Sequence, residues 1–191
     1  LSPDINPSDL VSGTVVRFPS FDGMQIPAIL YSPKNITKGA LLPALLYIHG
    51  GPGGQTRLNY TDRIQYWVNN GYVVIAVNNR GSSGYGKSFY QADDLRHGDV
   101  DLKDCIASKK FLINTGYVDA NKIGIMGGSY GGYMVMAALA FAPDEFAVGV
   151  NYFGVTNWLR TLKSIPPWWE ATRNALYAEL GNPDVDSLAL Y

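Results

Sequence analysis

Apolar positions along this chain fall into short uninterrupted blocks rather than one long alternating pattern. Such blocks run over Ala44 to Ile48, Tyr72 to Val77 and Lys122 to Met126, and strands that are apolar on both faces belong to a parallel sheet covered by helices. Helical patterns fill the gaps, at about Tyr60 to Asn69, Asp99 to Asn114 and Gly131 to Phe141, and a further strand is expected over Ala147 to Tyr152. Ahead of them, Thr14 to Phe18 and Gln25 to Tyr31 flank Asp22-Gly23, a strong hairpin signal that predicts an antiparallel pair at the start. Pro27 demotes the second of these strands to a sheet edge, because proline cannot donate to a ladder. Strands alternating with helices predict an α/β fold with a doubly wound, mostly parallel sheet.

The ends of the chain read differently. Residues 1–11 mix Pro3 and Pro7 with Asp4, Ser8 and Asp9, which predicts a linker from an upstream region and leaves residues 12–191 as one domain. The tail carries Trp158, Trp168 and Trp169, then a helical stretch stopped near Gly181-Asn182-Pro183. A start at Leu1 rather than Met, and an end at Leu190-Tyr191 without a terminal signal, lead us to expect a piece of a longer polypeptide, truncated at its C-terminus.

Composition narrows the partners. With 47% apolar and 16% charged residues the chain has the balance of a packed globule. A formal net charge of -1, with no run of Lys and Arg, gives no attraction to nucleic acid or to an anionic membrane. Small or neutral partners fit better. Cys105 is the only cysteine, so an internal disulfide and a Cys-rich metal site are both excluded. No stretch reaches the ~18 apolar residues of a spanning helix and the N-terminus lacks a signal-peptide pattern, so a soluble chain is expected, with the compartment open and the cytoplasm favoured.

Two glycine-rich motifs carry the candidate chemistry. Gly127-Gly128-Ser129-Tyr130-Gly131 lies between an apolar strand and a helix of small residues. This is the setting of a nucleophile elbow, where a strained turn exposes a serine hydroxyl at a helix N-terminus that favours negative charge. The competing reading is a glycine turn in which Ser129 merely caps the helix. His49-Gly50-Gly51-Pro52-Gly53-Gly54 follows the Leu45 to Ile48 strand, where an α/β-hydrolase places its second oxyanion donor. Its bland reading is an ordinary glycine turn with His49 held by backbone contacts.

Together with Asn79-Arg80-Gly81-Ser82-Ser83-Gly84-Tyr85-Gly86, these motifs, in this order, resemble the signatures of the prolyl oligopeptidase family of serine peptidases, its acylaminoacyl-peptidase and dipeptidyl-peptidase-like branch above all. The likeness spans about Ser12 to Pro183. It implies an α/β-hydrolase peptidase domain, usually preceded by a β-propeller that restricts entry to short peptides. It also implies Ser129 as catalytic nucleophile, with the backbone N–H groups of Gly51 and Tyr130 as oxyanion donors and Gly50 as a substitute for Gly51. For Arg80 it supports a structural role near the site; an internal ion pair is favoured over a substrate carboxylate.

A serine hydroxyl needs a base, and hydrolases of this fold order the triad Ser, then Asp or Glu, then His. No histidine follows Ser129: His49 belongs to the oxyanion motif, and His97 reads as a surface or capping residue. Asp184 and Asp186 follow Asn182-Pro183 and read as turn residues. The resemblance implies two more strands and a helix after the present C-terminus, with the triad Asp following one strand and the His on a later loop, so the chain alone is expected to be inactive. For Trp158, Trp168 and Trp169, with Tyr152 and Phe153, the resemblance implies a specificity pocket, while the favoured reading is core packing or contact with an absent portion. An incomplete C-terminal side would also leave apolar surface for association.

The function expected is cleavage of short peptides through an acyl-enzyme, without metal or organic cofactor. A carboxylesterase-like hydrolase uses the same parts. A non-catalytic binding module that keeps the fold, or a second chain that supplies the absent residues, are the other readings.

Overall fold

The computed structural model describes residues 5–186. Its centre is a six-stranded sheet in the order β1-β2-β4-β3-β5-β6, where β1 is Thr14–Pro19, β2 Gln25–Tyr31, β3 Leu42–Ile48, β4 Val73–Val77, β5 Val118–Gly128 and β6 Val148–Tyr152. β2 runs antiparallel to both of its neighbours, β1 and β4, and β4, β3, β5 and β6 run parallel. The helices are α1 (Asp62–Asn69), α2 (Lys87–Tyr90), α3 (Val100–Asn114), α4 (Tyr130–Phe141), α5 (Trp158–Lys163) and α6 (Glu170–Leu180).

The central strands are buried on both sides, as their unbroken apolar runs require: all five residues of β4 are 0% exposed. One face of the sheet contributes Leu46, Ile75 and Ile125 to a core closed by Leu102, Cys105 and Leu112 of α3 and Met134 and Ala138 of α4. On the other face, Ile29, Val74 and Ala76 pack against Ile64 and Val68 of α1. Each aliphatic side chain so buried is worth about 1.5–3 kcal/mol against exposure, which is why propensity alone does not set these boundaries.

One expectation fails. β2 is not an edge strand but lies between β1 and β4. Pro27 is tolerated there because its carbonyl faces the β4 side and accepts the Asn78 N–H at 3.0 Å, one residue past the end of β4. The proline nitrogen on that same side therefore interrupts no ladder bond. Near the N-terminus, Pro7–Asp9 form a single 3-10 turn, and Gln65 of α1 bonds both the N–H and the carbonyl of Val11, at 2.9 and 2.8 Å. Among the described residues no helix is long and apolar enough to cross a membrane.

Candidate active site

β5 ends at Gly128 and α4 begins at Tyr130, so the whole change of direction falls on Ser129, which has φ 55° and ψ −118°. A non-glycine residue at such a φ is strained. Its backbone is held from both sides: the Ser129 N–H donates to the Tyr152 carbonyl at 3.1 Å, and the Ser129 carbonyl accepts from Tyr133 at 3.0 Å. The side chain stands exposed and makes no capping bond to α4. This disposes of the capping role, since a capping serine turns its oxygen onto the first-turn N–H groups.

The surrounding glycines are explained by contact. A β-carbon on Gly127 would stand 2.5 Å from the Gly131 carbonyl carbon and oxygen, and one on Gly132 would stand 2.5 Å from Asn151 Oδ1. Both would force the strand and helix apart. The two motifs predicted to cooperate do meet: a β-carbon on Gly50 would lie 3.5 Å from that of Ser129 and 4.0 Å from its hydroxyl oxygen. Gly51, exposed and with φ 148°, occupies a conformation open essentially to glycine alone. Among the described residues, neither the Gly51 nor the Tyr130 N–H donates to a protein acceptor, and both lie in the chain segments flanking the Ser129 hydroxyl. Tyr130 also begins α4, whose positive dipole end faces the elbow.

Neither histidine serves Ser129. His49 is buried, with Nδ1 2.8 Å from the Gly50 carbonyl and Nε2 2.8 Å from the Ser82 hydroxyl. Burial pushes its pKa down, so the ring is a neutral prop for the glycine loop. His97 departs from expectation: it is no surface or capping residue, because its side chain is only 4% exposed. Two residues earlier the chain turns at Leu95, with φ 59°, and His97 meets polar partners from its own loop and from two helices. His97 Nδ1 lies 2.6 Å from the Tyr130 hydroxyl, 3.4 Å from Asp93 and 3.8 Å from Asp101. No sequence pattern linked these four residues, which come from three elements.

Arg80 forms the expected internal ion pair. Its guanidinium bonds Asp104 through Nε at 3.0 Å and Nη2 at 2.8 Å, and Asp22 through Nη1 at 2.9 Å. These bonds draw the Asp22 carboxyl below its usual range. Asp184 and Asp186 make turn contacts with Asn182, as their setting suggested. The aromatic residues divide. Trp158 packs edge-on to Tyr133 with ring centroids 5.3 Å apart. Phe153 and Trp168, each 80% exposed, and Trp169 do not join a core among the described residues. The short turn at Pro167–Trp169 has no buried residue, and the Phe153 ring lies beside Gly128, next to the elbow.

Only Asp93, His97 and Asp101 bring three candidate ligand atoms within 4.8 Å of one another among the described residues. The Tyr130 hydroxyl already bonds both His97 and Asp101, so these groups form a hydrogen-bonded cluster rather than an open cation cradle.

The sequence profile described as the prolyl oligopeptidase family matches residues 58–188. The dipeptidyl aminopeptidase BIII of Pseudoxanthomonas mexicana is 32% identical over 97% of this chain, and the acylamino-acid-releasing enzyme 2 of Oryza sativa subsp. japonica 30% identical over 87%. These matches span 28% and 20% of those proteins' lengths. Among solved structures, a puromycin-hydrolyzing peptidase of Mycobacterium tuberculosis superposes on 100% of this chain with a TM-score of 0.89 at 27% identity, using 29% of its own chain. The acylaminoacyl peptidase of Pyrococcus horikoshii superposes on 94%, with a TM-score of 0.83 at 27% identity and 28% of its own chain.

Proposed function

Because the chain belongs to the prolyl oligopeptidase family and has its α/β-hydrolase fold, we propose that it carries the nucleophile and oxyanion side of a serine peptidase acting on short peptides. Ser129 is the nucleophile in this reading. The Gly51 and Tyr130 N–H groups are its oxyanion donors. What carries the reading is the exposed Ser129 hydroxyl, free of any capping bond, at a strained strand-to-helix turn beside the 49–54 loop.

The chemistry follows from that geometry. Ser129 Oγ adds to the scissile carbonyl carbon as its proton leaves for a base, and the carbonyl oxygen becomes an anion. Two amides held by packed glycine turns need no reorganisation to receive that charge; removing one such donor typically lowers the rate about 10²–10³-fold. Collapse of the tetrahedral adduct releases the amine and leaves an ester on Ser129, which water then hydrolyses.

The base is the part these residues do not supply. Both histidines are upstream of Ser129 and engaged elsewhere, so a polypeptide of these 191 residues alone retains only the small fraction of catalysis that binding and oxyanion stabilisation provide. Preference for peptides over esters draws on the names of the similar proteins, which are dipeptidyl and acylaminoacyl peptidases.

A fluorophosphonate probe tests the reading. In the full-length protein, labelling should map to Ser129 and vanish in Ser129→Ala; labelling that survives the substitution, or never occurs, rejects it and favours a non-catalytic module.

A further inference from the structure

The Tyr130 ring leads from the elbow into a buried cluster of titratable groups. Tyr130 is 1% exposed. Its hydroxyl donates to Asp101 Oδ2 and accepts from His97 Nδ1 at 2.6 Å. Asp101 is itself fixed, because its other oxygen receives the Gly98 and Leu102 N–H groups at 2.7 and 2.9 Å. His97 faces Asp93 and Asp94 from its own loop, Asp101 from α3, Tyr130 and Tyr133 from α4 and Glu179 from α6. Both oxygens of the fully buried Asp93, Nε2 of His97 and Oε1 of Glu179 have no hydrogen-bond partner among the described residues.

The cluster matters because of where it is attached. The first three residues of α4 are Tyr130, Gly131 and Gly132, so Tyr130 owns the only side chain that can anchor the start of this helix. Its ring is stiff and its far end is tied at two points. Any drift of the ring therefore moves the peptide that follows Ser129, and reaction geometry tolerates little: a displacement of about 1 Å can lower a rate 10²-fold. The charge on His97 matters as well. A single imidazolium compensates several buried carboxyls, and without it their mutual repulsion is unopposed in a poorly solvated site.

We infer that His97 is a positioning residue, which acts through the Tyr130 hydroxyl to hold the Tyr130 N–H in place as an oxyanion donor and makes that donor sensitive to the protonation of the cluster. The inference rests on the function proposed above. Burial opposes the imidazolium, but Asp101, Asp93 and Glu179 outweigh it and hold the His97 pKa above its ordinary value. The ring therefore keeps its proton to higher pH than an ordinary imidazole and loses it as pH rises further.

The test is the second-order rate of fluorophosphonate labelling in the full-length protein between pH 5 and 9. His97→Gln and Tyr130→Phe should each label about tenfold or more slowly, and both should lose the alkaline decline that His97 imposes on the wild-type profile. The double variant should be no slower than either single one, since both remove the same link. A His97→Gln protein that labels at the wild-type rate with an unchanged pH profile overturns the inference, as do losses that multiply in the double variant. If His97→Gln shows no cooperative unfolding, Asp101→Asn replaces it: slower labelling supports the link and a wild-type rate overturns it. Labelling that persists in Ser129→Ala would instead reject the underlying function.

Discussion

Gly131 lies so close to Ile48 that a β-carbon added to it would stand 2.2 Å from the Ile48 carbonyl oxygen. Through this contact the start of α4 is seated on the end of β3, which is how an elbow from one motif comes to face a glycine loop from another. Gly131→Ala should therefore displace the helix and cost about 1–3 kcal/mol, the range of forced overpacking and backbone shifts. Urea unfolding measures it; a loss below ~0.5 kcal/mol would mean the contact yields easily.

Strain at Ser129 predicts the opposite sign two positions before Gly131. Its φ of 55° is accessible to glycine without the β-carbon clash. Ser129→Gly should gain about 1 kcal/mol of stability over Ser129→Ala while both lose labelling, the pattern of a site that stores strain for function. Equal stability of the two variants would show the turn to be relaxed.

Arg80 distinguishes an ion pair from a substrate clamp. With its guanidinium spread over Asp22 and Asp104, Arg80→Ala leaves the buried Asp104 uncompensated and should cost about 3–5 kcal/mol. A small stability change, accompanied by a raised KM for substrates with a free carboxylate, would contradict the structural role.

Asp93 sets a pH dependence. Burial pushes its pKa up to about 7, with His97 opposing and Asp101 and Glu179 adding to the rise. An acid held more tightly protonated in the folded state favours folding below the unfolded pKa of about 3.8, and that advantage is lost as pH rises towards 7. The raised His97 acts in the same direction, its contribution being full below about 6.5 and lost above. Asp93→Asn should remove the first effect, so its stability relative to wild type should improve by on the order of 2 kcal/mol between pH 5 and pH 8. Parallel stability curves would contradict the assignment.

These results show which features a sequence exposes. The uninterrupted runs at 44–48 and 72–77 marked strands buried on both faces, and Gly127, Gly131 and Gly132 marked the elbow, because backbone crowding leaves no room for a side chain at those three positions. Periodicity could not find α2 and α5, at four and six residues too short to show a face. Pro27 misled because its effect depends on where the neighbouring strand stops, which is a tertiary fact. His97 was missed for the same reason: the turn at Leu95 and the helix bearing Asp101 bring it under Tyr130 only once the chain has folded.

The most direct test of the account is the crystal structure of the full-length protein after phosphonate labelling. We predict phosphorus bonded to Ser129 Oγ, with one phosphoryl oxygen about 2.7–3.1 Å from the backbone nitrogens of both Gly51 and Tyr130. A phosphonate on another residue, or an oxygen turned to solvent away from both amides, would contradict it.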